Sequence, residues 1–417
     1  MDKKLIWVWL SLHFGAGSDI YSKLIEYFGC EQDIYDSDDS DMAIIDWLTE
    51  SQKRKLLDKN LEHTEEITEW CLENDVEIIA YSDPSYPSSL KRLRDFPAVL
   101  YCKGDFPNFD EEPSISVVGT RSMTTYGQKM AYEFGYTLAR GGAITVSGMA
   151  RGIDGTVAVG TLNALKTTVA VLGSGIDVIY PREHRALMGR IIDYGAVITE
   201  FPPHTPPNSR NFPIRNRIIT GISDATVIVE ADENSGAMIS ARLAIKQEKI
   251  LFALPGPTKM HTSKGTNLLL KEEKALVARH ALDILENLVE QYPDKIDLAK
   301  AKQRPKFSKS MLKPIDEDDK SDLQRKAKEA KRATIKAVKR FEEILPSEAN
   351  DEQLDFSELT EIQAVICKSM SLNKTYSVDE LVDLTTFTAS VIMTELSLLE
   401  IEGIVQQMPG SVYLRTK

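Results

Sequence analysis

The sequence predicts an α/β protein built on a mainly parallel sheet, with a helical segment before it and a small winged-helix tail after it. Three observations predict this. Between about Ile78 and Leu288, short β-branched runs alternate with amphipathic stretches. Strands alternating with helices need crossovers, which lay the strands parallel and put helices on both faces. Residues 1–77 instead carry apolar side chains at three- and four-residue spacing, as in "IYSKLIEYF" and "EEITEWCLEN", which is helical periodicity. After a polar stretch, residues 356–417 regain that periodicity in three helical segments and a β-hairpin.

In the first segment (1–77), "HFGAGSDIYSKLIEYFG" reads as helix, glycine turn, helix, in the manner of SAM or helix-hairpin-helix modules. Such a turn either only joins two helices or holds a nucleic-acid phosphate on its N–H groups, and the sequence leaves both open. The sheet domain (78–289) has six strand runs: "ISVVG", "GAITVSG", "TTVAVLGSG", "GAVITEF", "ATVIVEA" and "KILFALPG". Residues 290–355 are dominated by Lys, Arg, Asp and Glu and read as a charged linker, a solvated spacer whose cations can also meet a polyanion. In the tail (356–417), Ser377 or Asp379 offers an N-cap to "SVDELVDLT", and Gly403 can end "TASVIMTELSLLEIEG".

A chain of 417 residues fits about three domains. No apolar run approaches the roughly 20 residues that cross a bilayer, and the first residues lack a signal-peptide cleavage site, so no membrane association is expected. Cys30, Cys71, Cys102 and Cys367 lie far apart with no CxxC pair; this suggests neither zinc nor a disulfide framework and points to a reducing cytoplasm. The net charge of −13 at first argues against nucleic acid. Much of the acid, however, is segregated in "EQDIYDSDDSDMAIID" and "IDEDDKSD", and binding depends on a local basic surface rather than on the total.

Ligands of an open parallel sheet sit beyond the carboxyl ends of its strands. There the sequence sets Gly119, Thr120 and Arg121 after the first run, Ser147, Gly148 and Arg151 after the second, and Gly173 after the third. Glycine lets the backbone approach an anion, hydroxyls add donors, and arginine adds a bidentate charge. Between the fourth and fifth runs, "RNFPIRNR" sets Arg210, Arg215 and Arg217 beside Phe212. Cations that track phosphates beside a ring that stacks on a base are the chemistry of single-strand binding. The alternative puts Phe212 in the core and pairs the arginines with Glu200 or Glu230; at least one arginine is expected to pair so. Lys264 in "HTSKGTN" can close over the same crevice. A dinucleotide is not expected, because "GTRSMTTYG" is not GxGxxG and no acid about 20 residues on is placed for a ribose hydroxyl. No cofactor, metal or catalytic residue is expected.

Taken together, "YPSSLKRLRDFPAVLYCKG", "VVGTR", "SGMARGID", "VLGSGIDVIYP", "ITEFP", "FPIRNRIITGIS", "VIVEA", "SGAMISA" and "LPGP" with "KGTN" behind it resemble the DprA/Smf family of DNA-processing proteins. The resemblance covers about Tyr81 to Leu288 and extends loosely to both ends. It implies an extended Rossmann-like domain that binds single-stranded DNA, helps load the RecA recombinase in natural transformation, and pairs into a homodimer without established turnover. By motif, it implies that Gly119, Thr120 and Arg121 hold a DNA phosphate, that Ser147 and Gly148 line the pocket, and that Phe212, Arg215 and Asn216 complete it. The chain departs from the pattern at Ala158, where the family commonly has histidine, and at Glu273-Lys274, where it commonly has glycine-alanine.

Two other functions compete. The sheet type resembles that of nucleoside-monophosphate phosphoribohydrolases, but "LPGPTKMHTSKGTN" lacks their nearby glutamate, leaving no general acid or base in place. Asp154 and Glu230 read as arginine partners or helix caps. A winged helix reading duplex DNA is disfavoured because "TASVIMTELSLLEIEG" carries acids and no Arg or Lys, so a protein–protein role is expected of the tail.

Overall fold

Apolar residues at helical spacing fold the first residues into six helices: α1 (Lys3–Phe14), α2 (Ile20–Phe28), α3 (Glu31–Asp36), α4 (Asp39–Ile44), α5 (Glu50–Leu57) and α6 (Glu62–Glu73). The computed structural model describes residues 2–303 and parts of 359–415, and the chain divides into two units, Met1–Ile315 and Asp316–Lys417.

After α6 the first unit continues through β1 (Glu77–Ala80), α7 (Ser88–Lys91) and β2 (Val99–Gly104). Strand and helix then alternate: β3 (Ser114–Val118), α8 (Thr125–Arg140), β4 (Ile144–Ser147), α9 (Ile153–Asn163), β5 (Thr168–Val171), α10 (Arg185–Tyr194) and β6 (Ala196–Thr199). There follow α11 (Asn211–Gly221), β7 (Ala225–Ile228), α12 (Gly236–Lys246), β8 (Ile250–Ala253), α13 (Lys264–Lys271), β9 (Leu276–Val277), α14 (Ala281–Leu288) and α15 (Leu298–Ala301). The six runs read from the sequence are β3 to β8.

The nine strands form one sheet in the order β1-β2-β6-β5-β4-β3-β7-β8-β9. From β6 to β9 all neighbours are parallel, whereas β1–β2 and β2–β6 are antiparallel. The antiparallel pair is an addition to the expected sheet. Its strands, "EIIA" and "VLYCKG", are short runs separated by an irregular stretch, so neither hairpin spacing nor βαβ alternation marks them. β9 has two residues, too few for any period to register.

Both faces of the parallel part are covered, which is why β3 to β7 are buried at every position and show no alternation of apolar and exposed polar residues. On one flank the buried cluster joins Ile6, Trp7, Val8, Trp9 and Leu10 of α1 to Val99 and Tyr101 of β2 and Val197 of β6. The glycine turn between α1 and α2 lies against the sheet. Gly17, at φ +73°, donates its N–H to Glu200 Oε2 at 3.2 Å, and a Cβ there would lie 2.7 Å from Ile214 Cγ2. Of the two readings left open for this turn, packing is the one observed for the Gly17 N–H, which already faces a carboxylate.

β3 is the reversal point of the winding. The chain runs from β3 through β4 and β5 to β6 on one side, then returns to place β7, β8 and β9 on the other. Val118 pairs with Ile228 in register, so the turns after β3 and β7 emerge side by side.

In the second unit, helices span Glu361–Ser369 and Val378–Thr385, and three antiparallel strands cover Thr375–Ser377, Val405–Met408 and Val412–Arg415. Ser377 is the N-cap of the second helix: its Oγ accepts from Glu380 N at 3.2 Å, and Glu380 Oε2 accepts from Ser377 N at 2.8 Å. Of the third helix read at 388–403, Val391, Ile392, Glu395, Leu396, Leu399 and Glu400 are described and helical, with Ile392, Leu396 and Leu399 buried in the core of this unit; its other residues, its stop at Gly403 and most of the charged linker lie outside the described residues.

Candidate functional site

The turns after β3, β4 and β5 and the first turn of α11 surround an open cleft. Arg121, Arg151, Tyr180, Phe212 and Arg215 line it above Gly148 and Gly173. The half-buried Phe212 ring is its organising feature. The Arg121 guanidinium carbon lies 5.2 Å from the ring centroid and that of Arg215 5.9 Å, both within cation–π range. The Tyr180 ring stands 5.5 Å away, tilted by 33°.

The two arginines differ in kind. Arg121 is exposed. Arg215 is only 4% exposed, and its guanidinium donates to Gly148 O at 3.0 Å, to Val171 O, and through Nε to Asn216 Oδ1 at 3.2 Å. Two glycines make this possible. A Cβ at Gly148 would lie 2.5 Å from Arg215 Nη2, and one at Gly173 would lie 2.8 Å from Phe212 Cδ1.

Burial is the main influence on Arg215, pulling its guanidinium down to about 10; the Asp154 charge opposes this and the Arg121 charge adds to it. Arg215 therefore stays a cation at neutral pH. Asp154, buried at the start of α9, accepts from Gly148 N at 3.0 Å, and the N–H groups of Gly119 and Ala150 also favour its charged form. Burial raises its carboxyl above the usual range, while Arg215 is the largest opposing influence. The strand-end N–H groups read as phosphate donors thus already face a carboxylate of the chain itself.

The structure brings Arg121, Gly148, Arg151, Gly173, Phe212 and Arg215 into one cleft. It places the other candidates around it. Thr120 donates its N–H to Glu230 O at 2.8 Å, and Ser147 is buried against α9, its Oγ 3.4 Å from Asp154 O. Gly119 backs onto Ile153, and Asn216 braces Arg215. Arg210 stands exposed just before α11 and Lys264 exposed at the start of α13; neither lines the cleft. Arg151 is exposed and ion-paired with Glu183, whose carboxyl that hydrogen bond pulls down to about 2. Arg217 is the arginine that pairs with Glu200. Tyr180, Pro181 and Ala150 also line the cleft and were not among the sequence candidates; "DVIYP" was the available signal.

Glu230 closes the other natural anion site. It follows β7 at the reversal point, accepts Thr124 N at 2.9 Å and the Thr124 hydroxyl, and so lies under the N-terminus of α8. A Cβ on Gly127 would lie 2.2 Å from its Oε2. In nucleotide-binding sheets of this type the pyrophosphate takes that position; here a side chain fills it. Among the described residues, no group of three or more His, Cys, Asp or Glu is arranged for a metal, and no helix is long and apolar enough to cross a membrane.

Fold and cleft define a class: a doubly wound parallel sheet with an arginine-rich cleft, organised by an aromatic ring, at the carboxyl ends of its strands. Residues 77–289 match the model of DNA recombination-mediator protein A, and residues 357–411 match that of the DprA winged helix domain. The chain belongs to the DNA recombination-mediator protein A (DprA/Smf) family. It is 37% identical over 220 residues to Protein Smf of Escherichia coli, covering 52% of this chain and 58% of that one. It is 36% identical over 218 residues to DNA processing protein DprA of Bacillus subtilis, covering 52% and 73%. The X-ray structure of DNA processing protein A from Streptococcus pneumoniae superposes with a TM-score of 0.59 at 26% identity, covering 69% of this chain and 98% of that one. The alignment thus spans little more than half the length of the Escherichia coli relative.

Proposed function

We propose that this chain is a non-catalytic binder of single-stranded DNA that works in the cytoplasm, protects incoming strands, helps load a RecA recombinase during transformation, and acts as a homodimer. One observation carries the binding reading: an exposed Arg121 and an anchored Arg215 both face the Phe212 ring in an open cleft at the strand ends. Arg215 and Phe212 form a fixed floor, and Arg121 is the cation free to meet a phosphate from solvent. Readout of this kind tolerates any sequence, because it meets backbone charge and base faces rather than base edges. Membership of a recombination-mediator family supports the loading role.

The non-catalytic reading is supported by the state of three buried carboxylates near the strand ends, of which Glu200 is paired with Arg217. Asp154 accepts backbone N–H groups beside Arg215, and Glu230 is sealed beneath α8. None of the three is placed to shuttle a proton to a ligand in the cleft.

The test is a fluorescence-anisotropy titration of oligothymidylate at several salt concentrations. Each phosphate engaged contributes about 0.7 to the slope of log affinity against log salt. Arg121→Ala should weaken binding to all sequences alike and flatten the slope by about that amount. An unchanged slope and affinity would remove Arg121 from the site and the proposal with it. Loading is tested by recombinase filament growth on strands covered with single-strand-binding protein, and pairing by light scattering; no acceleration, or a monomer at all concentrations, would refute each in turn.

A further inference from the structure

A second groove, of about 250 Å3, opens between α8, α9 and α10. The two hollows share a wall. Arg151 and Pro181 line the first, while Gly152 and Glu183, one and two residues further along, line the second. The Arg151–Glu183 ion pair crosses that wall.

Arg190 of α10 lines the second groove, half-buried, and makes no hydrogen bond or ion pair among the described residues. Burial lowers its guanidinium, and the groups that oppose this, Tyr194 and Asp193, lie on or just beside its own turn of helix. With no hydrogen bond or ion pair of its own among the described residues, the Arg190 guanidinium is available to an anion that enters the groove. Around it the lining is mixed. Gln128 of α8 offers an amide, and Met123, Val159 and Leu187 offer an apolar side. A cation, an amide and an apolar wall in one groove match the three parts of a nucleotide.

We propose that a single strand leaving the Arg121 cleft crosses the Arg151–Glu183 wall and lays a second phosphate on Arg190, with a base against the apolar side of this groove. The inference rests on the single-strand reading above and adds a second subsite to it. Two consequences follow. Binding strengthens once an oligonucleotide is long enough to reach past the wall, and that added affinity depends on Arg190 alone among the arginines named so far.

The experiment compares oligothymidylates of about four and about sixteen nucleotides on the full chain, with Arg190→Gln and Arg121→Ala alongside. Gln128→Glu, which adds a negative charge to the groove with almost no change of shape, guards against an Arg190 variant that merely folds badly. Arg190→Gln should leave the short strand bound as in the wild type. It should weaken the long strand several-fold and lower its salt slope by about 0.7; Gln128→Glu should likewise weaken only the long strand. Wild-type binding of the long strand by both variants would overturn the proposal, as would equal weakening of both lengths. If instead Arg121→Ala leaves both lengths unaffected, the parent reading fails whatever Arg190 does.

Discussion

Gly148→Ala tests how Arg215 is held. The new methyl would lie 2.5 Å from Arg215 Nη2, 2.7 Å from Cζ and 2.8 Å from Nη1. Ordinary contact needs about 3.5–4.0 Å, so the guanidinium or the turn must give way by about 1 Å. That displacement breaks the 3.0 Å bond to Gly148 O, and a hydrogen bond from a charged group is worth about 1.5–3 kcal/mol. Overpacking alone costs about 1–3 kcal/mol, and the two overlap, so a loss of about 2–4 kcal/mol is expected. This is below the usual total of about 5–15 kcal/mol, so the variant should fold with a loosened cleft. Urea unfolding followed by circular dichroism should show a lower midpoint at unchanged m-value, and single-strand affinity should fall about tenfold, the equivalent of about 1.4 kcal/mol. In an Arg215→Met background the same methyl should cost less, because a flexible thioether replaces the anchored fork; the difference is the coupling energy of a double-mutant cycle. A wild-type midpoint and affinity for Gly148→Ala would show that Arg215 does not sit against this turn.

Three further predictions concern the charges around the cleft. Glu183→Gln releases Arg151 from its ion pair and should raise single-strand affinity at low salt while steepening the salt slope by about 0.7; an unchanged slope would leave Arg151 outside the DNA path. Glu230→Ala vacates the N-terminus of α8 and leaves Thr124 N–H without its acceptor, a cost of about 1–3 kcal/mol. Sulfate or phosphate should then raise the melting temperature of the variant more than that of the wild type, and equal shifts would refute the exchange of a side-chain anion for a free one. Burial holds the Asp154 carboxyl above the ordinary aspartate range, so it keeps its proton in the folded chain at pH values where the unfolded chain has lost it. Its contribution to stability therefore falls as pH rises from the ordinary aspartate range through the raised value. Carboxyl-carbon NMR should find its midpoint above that range and higher still in Arg215→Met, which removes the favouring charge; a midpoint that stays put would disconnect the pair.

The parts of the fold legible in the sequence were those fixed by local period. Strands covered on both faces lack an exposed polar alternation, so β3 to β8 announce themselves as β-branched runs in which the few polar residues are Ser and Thr. β1 and β2 do not, because their pairing joins residues such as Ile78 and Tyr101 across a connection, residues 81–98, far longer than a tight hairpin turn. At the site, the turn glycines and arginines could be read because a strand end is a fixed place in this architecture. Their division of labour could not. That Asp154 also takes the N–H of Gly119, that Phe212 is flanked by Arg121 and Tyr180, and that Glu230 plugs α8 all depend on contacts between segments tens of residues apart.

The match to the family model starts at residue 77, which invites cutting the chain there. The flank of the sheet advises otherwise. Trp7 rests 4.9 Å from the Tyr81 ring, Tyr21 lies 6.0 Å from Phe96, and Gly17 touches Ile214 on the very helix that presents Phe212 and Arg215. A shortened protein would bare a greasy wall and slacken the perch of its own recognition helix, so weak DNA binding by such a fragment would report on lost scaffolding rather than on a lost contact.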